Sequence, residues 1–197
     1  MASTQKRFGG LSKIHVAPMT AEGTFSTPVP IKGAKSVEGS LNYEAIQFYA
    51  DNGIDFQDYK FSGGEGTLTV SGLTPEEFTT LFGSQNAKGG VVVNTGDTTP
   101  ELALLFERDA LGKAGKKLYV IYAVKFAQPS ISAQTMEGGI EEETMELSFT
   151  IRELENGDLY SMVDTTDSSV NSSVVSGWYT SVQTSAKVLG TATLSEK

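Results

Sequence analysis

This sequence of 197 residues has no cysteine, one histidine and one tryptophan. The first absence excludes disulfides, thiolate metal sites and cysteine nucleophiles. The second leaves His15 as the sole imidazole. It alternates with apolar neighbours in KIHVAPM, where a histidine is ordinarily structural, and no Ser-His-Asp arrangement surrounds it. No G-x-S-x-G elbow occurs. The glycine clusters Gly63-Gly64-Glu65-Gly66 and Gly89-Gly90 lack the Lys-Ser/Thr ending of a phosphate loop. Apolar runs are too short for a membrane-spanning helix. The polar N-terminus, MASTQKRFGG, has no apolar segment behind its basic residues, so no secretory signal is expected. Positive charge is scarce as well, with 15 Lys and Arg against 24 Asp and Glu and a formal net charge of −9. A groove that neutralises phosphates is therefore not expected.

What is present is a soluble globular composition, 39% hydrophobic, over a length sufficient for one domain with a real core. The strongest signals lie between Leu102 and Arg152. Leu118–Phe126 (LYVIYAVKF) is apolar on both faces, interrupted by Lys125, which predicts a strand covered on both sides. Thr144–Arg152 (TMELSFTIR) alternates strictly, with Met145, Leu147, Phe149 and Ile151 on one face, as in a half-buried strand. Leu102–Glu107 is a third strand, joined to the next by the turn LGKAGK.

Elsewhere, residues 1–12 read as an N-terminal arm, Lys13–Met19 as a short strand and Glu22–Pro30 as a loop. Ile31–Tyr43 reads as a weak strand pair and Ala45–Tyr49 as a better strand. Gly66–Gly72 alternates around Leu68 and Val70. Helix signals concentrate at 74–83. Thr74 is an N-cap, Pro75 occupies the first turn, Glu77 completes a capping box and Gly83 is a left-handed stop. Val91–Val93 is a small strand, and Gln128–Met136 is expected to continue the main sheet. Asn156-Gly157 is expected to close a hairpin between Thr144–Leu154 and Leu159–Val163. After Asp164 the composition turns Ser-rich, predicting a linker and a C-terminal arm over 165–197. That arm carries Trp178 and docks on its own body or on a neighbour.

Two stretches invite functional readings. Glu137–Glu146 clusters carboxylates, but without the Asp/Asn alternation of a calcium loop or companions for glycosidase chemistry, so solvated acids are the expectation. Ala50–Gly64 (ADNGIDFQDYKFSGG) opens on a turn and mixes Asp51, Asp55 and Asp58 with Phe56, Tyr59 and Phe61. Exposed aromatics favour an interface; the alternative is a hairpin tip whose aromatics fold back on the domain. No catalytic, metal or cofactor site is assigned.

The order of these blocks resembles the major tail proteins, or tail tube proteins, of long-tailed bacteriophages with non-contractile tails. The resemblance runs from about Lys35 to about Asp164. It rests on Pro100, Leu102–Phe106, the Gly112–Lys117 turn, Leu118–Phe126 with Pro129, Gly138–Glu143, Thr144–Arg152, and Gly157 with Tyr160. A second block is Tyr49-Ala50-Asp51-Asn52-Gly53 followed by GTLTVSGLTPEEFTTLFG. Tyr160 stands where related chains tend to have tryptophan, and nothing after Asp164 matches. The resemblance implies a mainly β fold: two packed antiparallel sheets, sandwich-like and partly barrel-like, flanked by one short helix. That tail-tube domain would span 1–164. It implies hexameric rings stacked into a hollow virion tube, made in the host cytoplasm, through which DNA passes without specific binding. Partners would be further copies of the chain, a tape-measure protein inside the tube, and tail-tip and terminator proteins at its ends. Ala50–Gly64 would correspond to a protruding loop reaching the neighbouring ring, with Asp51, Asn52, Gly53, Asp55, Phe56, Asp58 and Tyr59 as its contact residues. Glu143 and Glu146 are candidate lumen acids. A related tube or decoration module of a secretion or phage apparatus is the alternative.

Overall fold

The computed structural model describes residues 5–131, 133 and 143–190. In chain order its strands are β1 (Phe8–Ala21), β2 (Thr24–Phe25), β3 (Val29–Pro30), β4 (Ala34–Ala50) and β5 (Gly53–Val70). Helix α1 (Pro75–Phe82) follows, then β6 (Gln85–Ala87), β7 (Gly90–Val92), β8 (Leu102–Ala110), β9 (Lys116–Phe126), β10 (Met145–Ile151) and β11 (Tyr160–Asp164). Two short helices, α2 (Ser172–Gly177) and α3 (Ser185–Leu189), end the described chain. The fold is mainly β, and every strand pair is antiparallel. The main path runs β2-β1-β8-β9-β10-β5-β4, with β11 on β9 and β3 on β1; β6 and β7 pair separately. The path folds over, so the β10-β5-β4 end packs against β1, β8 and β9 as a second layer around one core.

That core contains Leu68, Val70, Leu102, Leu104, Val124, Phe126, Leu147 and Phe149, and α1 adds Leu81 and Phe82. The helix stands as its sequence predicts. Thr74 Oγ1 accepts from the Glu77 amide, the Glu77 carboxylate accepts from the Thr74 amide at 2.8 Å, and Gly83 terminates at φ 71°. Gly66 is required where it sits: a Cβ there would lie 2.3 Å from both the Glu38 carbonyl oxygen and Phe149 Cζ. The Phe149 ring fills the space that a side chain would occupy.

A second core lies on the other face of β1, β8 and β9. It contains Ala103, Leu105, Leu118, Val120, Tyr122 and Val163, closed by Val174, Trp178 and Val182. Trp178 is fully buried. The second-core face of Leu118–Phe126 is thus covered within one subunit, while Tyr119 on the other face stays partly exposed. Residues 165–190 cover its second face, docking on their own body and including two helices beyond the one expected. The faces exchange through a bulge. Leu102 pairs with Val124 but Leu104 with Ile121, so β9 carries an extra residue there. Tyr122 and Ala123 both turn to the second core while Ile121 and Val124 serve the first.

Four further expectations change. The N-terminal arm gives way at Phe8, because β1 is hydrogen-bonded along β8 from Phe8↔Ala110 onward. Ile31–Tyr43 is no strand pair, and from Ala34 it belongs to one long strand. The main sheet ends at Phe126, with no strand over Ala127–Ile131; the rest of that expected strand lies largely outside the described residues. Finally, β10 and β11 do not pair with each other. The turn at Asn156-Gly157 forms, with the Gly157 amide donating to the Leu154 carbonyl at 2.8 Å. It closes an excursion rather than a hairpin. Both strands run antiparallel to β9 on the same edge, β10 opposite Val124–Phe126 and β11 opposite Lys117–Ile121. A local turn signal fixes the turn but not which strand the returning chain meets.

Candidate assembly interface

The stretch expected as the protruding loop Ala50–Gly64 is instead half of a β-hairpin. β4 and β5 pair from Ala34↔Val70 to Ala50↔Gly53. Asp51 and Asn52 form the turn with φ of 47° and 61°, the two positive values of a type I′ connection. β10 accompanies β5 only between Gly64 and Val70. Beyond that, Tyr43–Phe61 is a two-stranded projection about 25 Å long at 3.3–3.4 Å per residue. It leaves the body at a bulge between Asn42 and Tyr43, opposite Gly63 with φ 126°.

The projection carries aromatic side chains on both faces, and among the described residues nothing covers them. Tyr43, Gln47, Tyr49, Gln57 and Tyr59 share one face by register, with Tyr49 Oη donating to Gln47 Oε1 at 2.8 Å. Ile46, Phe48 and Phe56 share the other, where the Phe48 and Phe56 ring centroids are 5.7 Å apart. Phe48 is 61% exposed, Tyr49 70%, Phe56 48% and Tyr59 62%. An isolated hairpin is marginally stable in water, and a cluster of exposed aromatics is an interface signature. Asp51, Asn52, Gly53, Asp55, Phe56, Asp58 and Tyr59 all lie on this projection. Tyr43, Ile46, Phe48, Tyr49 and Ile54 also belong to it and were not assigned by sequence. The signal was there in the aromatic pairs placed symmetrically about the Asp-Asn-Gly turn.

The candidate lumen acids separate. Glu146 is exposed on the outward face of β10, opposite Thr69. That face is polar across its neighbours, with Glu38 and Ser40 on β4, Glu65 and Thr67 on β5, and Ser148 and Thr150 on β10, around one Lys125. Glu143 lies exposed just before β10. The remaining acids of that loop, Glu137, Glu141 and Glu142, lie outside the described residues.

His15 packs its ring 4.5 Å from that of Tyr179, and its Nδ1 lies 3.0 Å from the Lys13 carbonyl oxygen. Tyr179 in turn reaches a buried carboxylate. Glu107, 1% exposed, accepts from Lys116 Nζ, from Tyr179 Oη at 3.0 Å and from Ser12 Oγ at 3.2 Å, with Lys13 Nζ 3.7 Å away. Burial pushes its pKa up, but the hydrogen bonds from Lys116 and Tyr179 and the two ammonium charges outweigh it and hold the carboxyl below its usual range. Burial, then the charge of Glu107, raises the Tyr179 hydroxyl. Tyr122 Oη donates to the Gln183 carbonyl at 3.0 Å and accepts from Ser161 Oγ at 2.6 Å, and burial pushes its hydroxyl up to about 12. These groups fasten the C-terminal segment to the sheet. On the opposite flank Arg152 Nε donates to Glu101 at 2.9 Å and its Nη2 to Glu22 at 2.8 Å, joining the end of β10 to the start of β8. Among the described residues no group of three or more His, Cys, Asp or Glu is placed to hold a metal, and no helix is long and apolar enough to cross a membrane.

No protein-family model and no curated protein matches the chain. Solved structures do. The cap that terminates the tube of the anti-feeding prophage superposes with a TM-score of 0.50 at 9% identity, over 83% of this chain and 95% of that one. The sheath/tube terminator of an extracellular contractile injection system gives 0.47 at 14% identity, over 82% and 99%. A chain of the sheath-tube complex of such a system gives 0.42 at 11%, over 78% and 89%. The latter two are parts of a contractile injection system, whereas the sequence resemblance is to non-contractile tails. At these identities the likeness is one of fold: the chain folds like the tube-terminating cap of the anti-feeding prophage.

Proposed function

We propose that this chain is a structural subunit of a tail-tube-like assembly. Copies associate into rings, hexameric as the resemblance implies, and the rings stack into a tube. The observation that carries this reading is the β4–β5 projection, a long hairpin with exposed aromatics on both faces and no described residue of its own chain over them. Asp51, Asn52, Gly53, Asp55, Phe56, Asp58 and Tyr59 are its proposed contact residues. Open sheet edges supply further means of association. Among the described residues β4 has no strand on its outer side and β11 pairs only with β9, and ring closure removes such edges.

The outward face carrying Glu146, with Glu143 at the start of β10, is the proposed lumen wall. Acids there would repel passing phosphates within a Debye length, so DNA moves through without binding. The proposed setting is a phage tail assembled from protein made in the host cytoplasm, with a tape-measure protein inside and tail-tip and terminator proteins at the ends. Within residues 1–164 lie the tube-building elements; 165–190 close the second core. No bond-making chemistry is assigned to the chain.

Similarity to a tube-terminating cap supports a second reading, in which the chain ends a tube built from another subunit. Electron microscopy and sedimentation of the purified protein separate the two. Uniform tubes are expected from a tube subunit, and single rings that never stack from a cap. A strict monomer at high concentration would sink both. Replacing Ala45–Tyr59 by an Asn-Gly turn keeps the Glu44↔Lys60 pair and is expected to give a folded protein that no longer assembles.

A further inference from the structure

We propose that the half-exposed aromatic face formed by β1, β8, β9 and β11 is the acceptor for the β4–β5 hairpin of a second copy of this chain. This rests on the self-association proposed above and names the other half of the contact. By register Phe106, Tyr119 and Met162 lie side by side on that face, one each from β8, β9 and β11, with Tyr160 next to Met162. The Phe106 and Tyr119 rings stack at 4.8 Å and 8°. Tyr160 is 53% exposed and Met162 48%. The face continues the wall of the first core, but past Leu104 and Ile121 no described element lies over it. It is a sheet face built to be covered.

The charges say by what. Arg108 and Lys117 are cross-strand partners on this face. Arg108 donates to the Phe8 carbonyl at 2.9 Å and Lys117 Nζ lies 4.4 Å from the centroid of the Phe8 ring. Neither is in a salt bridge among the described residues; Asp164 of β11, across from Lys117, is the acid on this face, against the two cations. Arg7 is held beside them through its carbonyl, which accepts from the Leu111 amide at 2.9 Å, and Lys113 stands in the β8–β9 turn. The hairpin is the opposite: Glu44, Asp51, Asp55 and Asp58 against Lys60 alone. In a chain of net charge −9, a basic aromatic face and an acidic aromatic hairpin are complementary in both charge and chemistry. Their sizes also agree. A two-stranded hairpin is roughly 10 Å across, and four strands at 4.7–4.9 Å spacing give a face on the order of 15–19 Å wide. Donor and acceptor are different surfaces of one molecule, so the contact is heterologous and repeats into a ring or a tube.

Two variants test it. The first is the hairpin replacement described above, which keeps the acceptor face. The second is Arg108→Glu with Lys117→Glu, which keeps the hairpin; Tyr160→Ser with Met162→Ser is its uncharged counterpart should the first fail to fold. Far-UV circular dichroism and thermal melts check folding. Each variant alone is expected to stay monomeric where wild type assembles. Mixed, they should form a 1:1 complex by sedimentation, because the second supplies a hairpin and the first a face. Adding Asp55→Lys and Asp58→Lys to the charge-reversed face should restore assembly at least in part, and salt should weaken wild-type association. A face variant that is folded and assembles like wild type, or a mixture that forms no complex, overturns the inference while leaving self-association through the hairpin standing. Wild type that remains monomeric at every concentration overturns the underlying reading and this one with it.

Discussion

β5 is two strands in one. From Gly64 to Val70 it lies between β4 and β10, and Leu68 and Val70 are fully buried. From Gly53 to Phe61 it has β4 alone, and Ile54, Phe56 and Tyr59 are each about half exposed or more. Both halves carry large apolar side chains. What differs is the number of layers beside them. In the body an aromatic such as Phe149 is held by Gly66 beneath it and by Phe126, whose ring centroid is 5.3 Å away. In the projection Phe48 and Phe56 have mainly each other. Aromatic content therefore measures an appetite for burial, and only position in the fold says whether the same chain or another one satisfies it.

If the body is self-sufficient and the projection is not, substitutions in the two should separate stability from assembly. The largest effect is expected in the second core. Trp178→Ala should cost about 3–5 kcal/mol in urea unfolding, as removal of a large fully buried aromatic does. Trp178→Phe should cost clearly less, because the indole Nε1 has no hydrogen-bond partner among the described residues. Equal losses would show that the segment 165–190 is held by something other than packing.

A smaller effect is expected at Glu107. Its carboxyl is held below the ordinary range, so the folded chain binds fewer protons than the unfolded one. The stability this supplies is complete above the unfolded value of about 4.3 and is lost as pH falls through the lower folded value. Glu107→Gln should cost about 2 kcal/mol at neutral pH, the scale of hydrogen bonds to a charged group. Its melting temperature should approach that of wild type in acid. A constant gap between the two from pH 7 to pH 3 would remove the carboxylate from the account.

The smallest effect on stability belongs to the projection. Phe48→Ser with Phe56→Ser should change monomer unfolding by no more than about 0.5 kcal/mol, as exposed substitutions do. The same pair should raise the concentration needed for assembly at least about tenfold, read by sedimentation. Loss of folding would place these rings in the subunit's own core.

Much of the fold is legible in the sequence because its signals are local. Thr74, Pro75, Glu77 and Gly83 specify a helix within ten residues. The period-two pattern of Met145–Ile151 specifies which side of β10 is buried. The Asp51-Asn52 turn is likewise written in residues that tolerate positive φ. The errors share a cause. Residues 1–12 look like an arm because Gly9 and Gly10 interrupt the pattern, yet β8 supplies the hydrogen bonds from Phe8 onward. Asn156-Gly157 looks like a hairpin because the turn is genuine, yet the same edge of β9 takes both flanking strands. Tyr160 and Met162 carry no sequence signal of a surface, since alternation with Val163 reads the same whether the outer face meets solvent or another layer.

The sequence alone determined the β-strand character, the capped helix and the turn at Asp51-Asn52, since each depends on contacts a few residues apart. The tertiary structure decided which apolar faces are closed and which stay open. It gave Leu118–Phe126 its second cover from a segment some sixty residues away. It also stood the aromatic hairpin clear of the body, with a half-covered basic face left beside β11. Those outcomes depend on how many layers meet at a given strand, and periodicity along one strand holds no information about the layers above it.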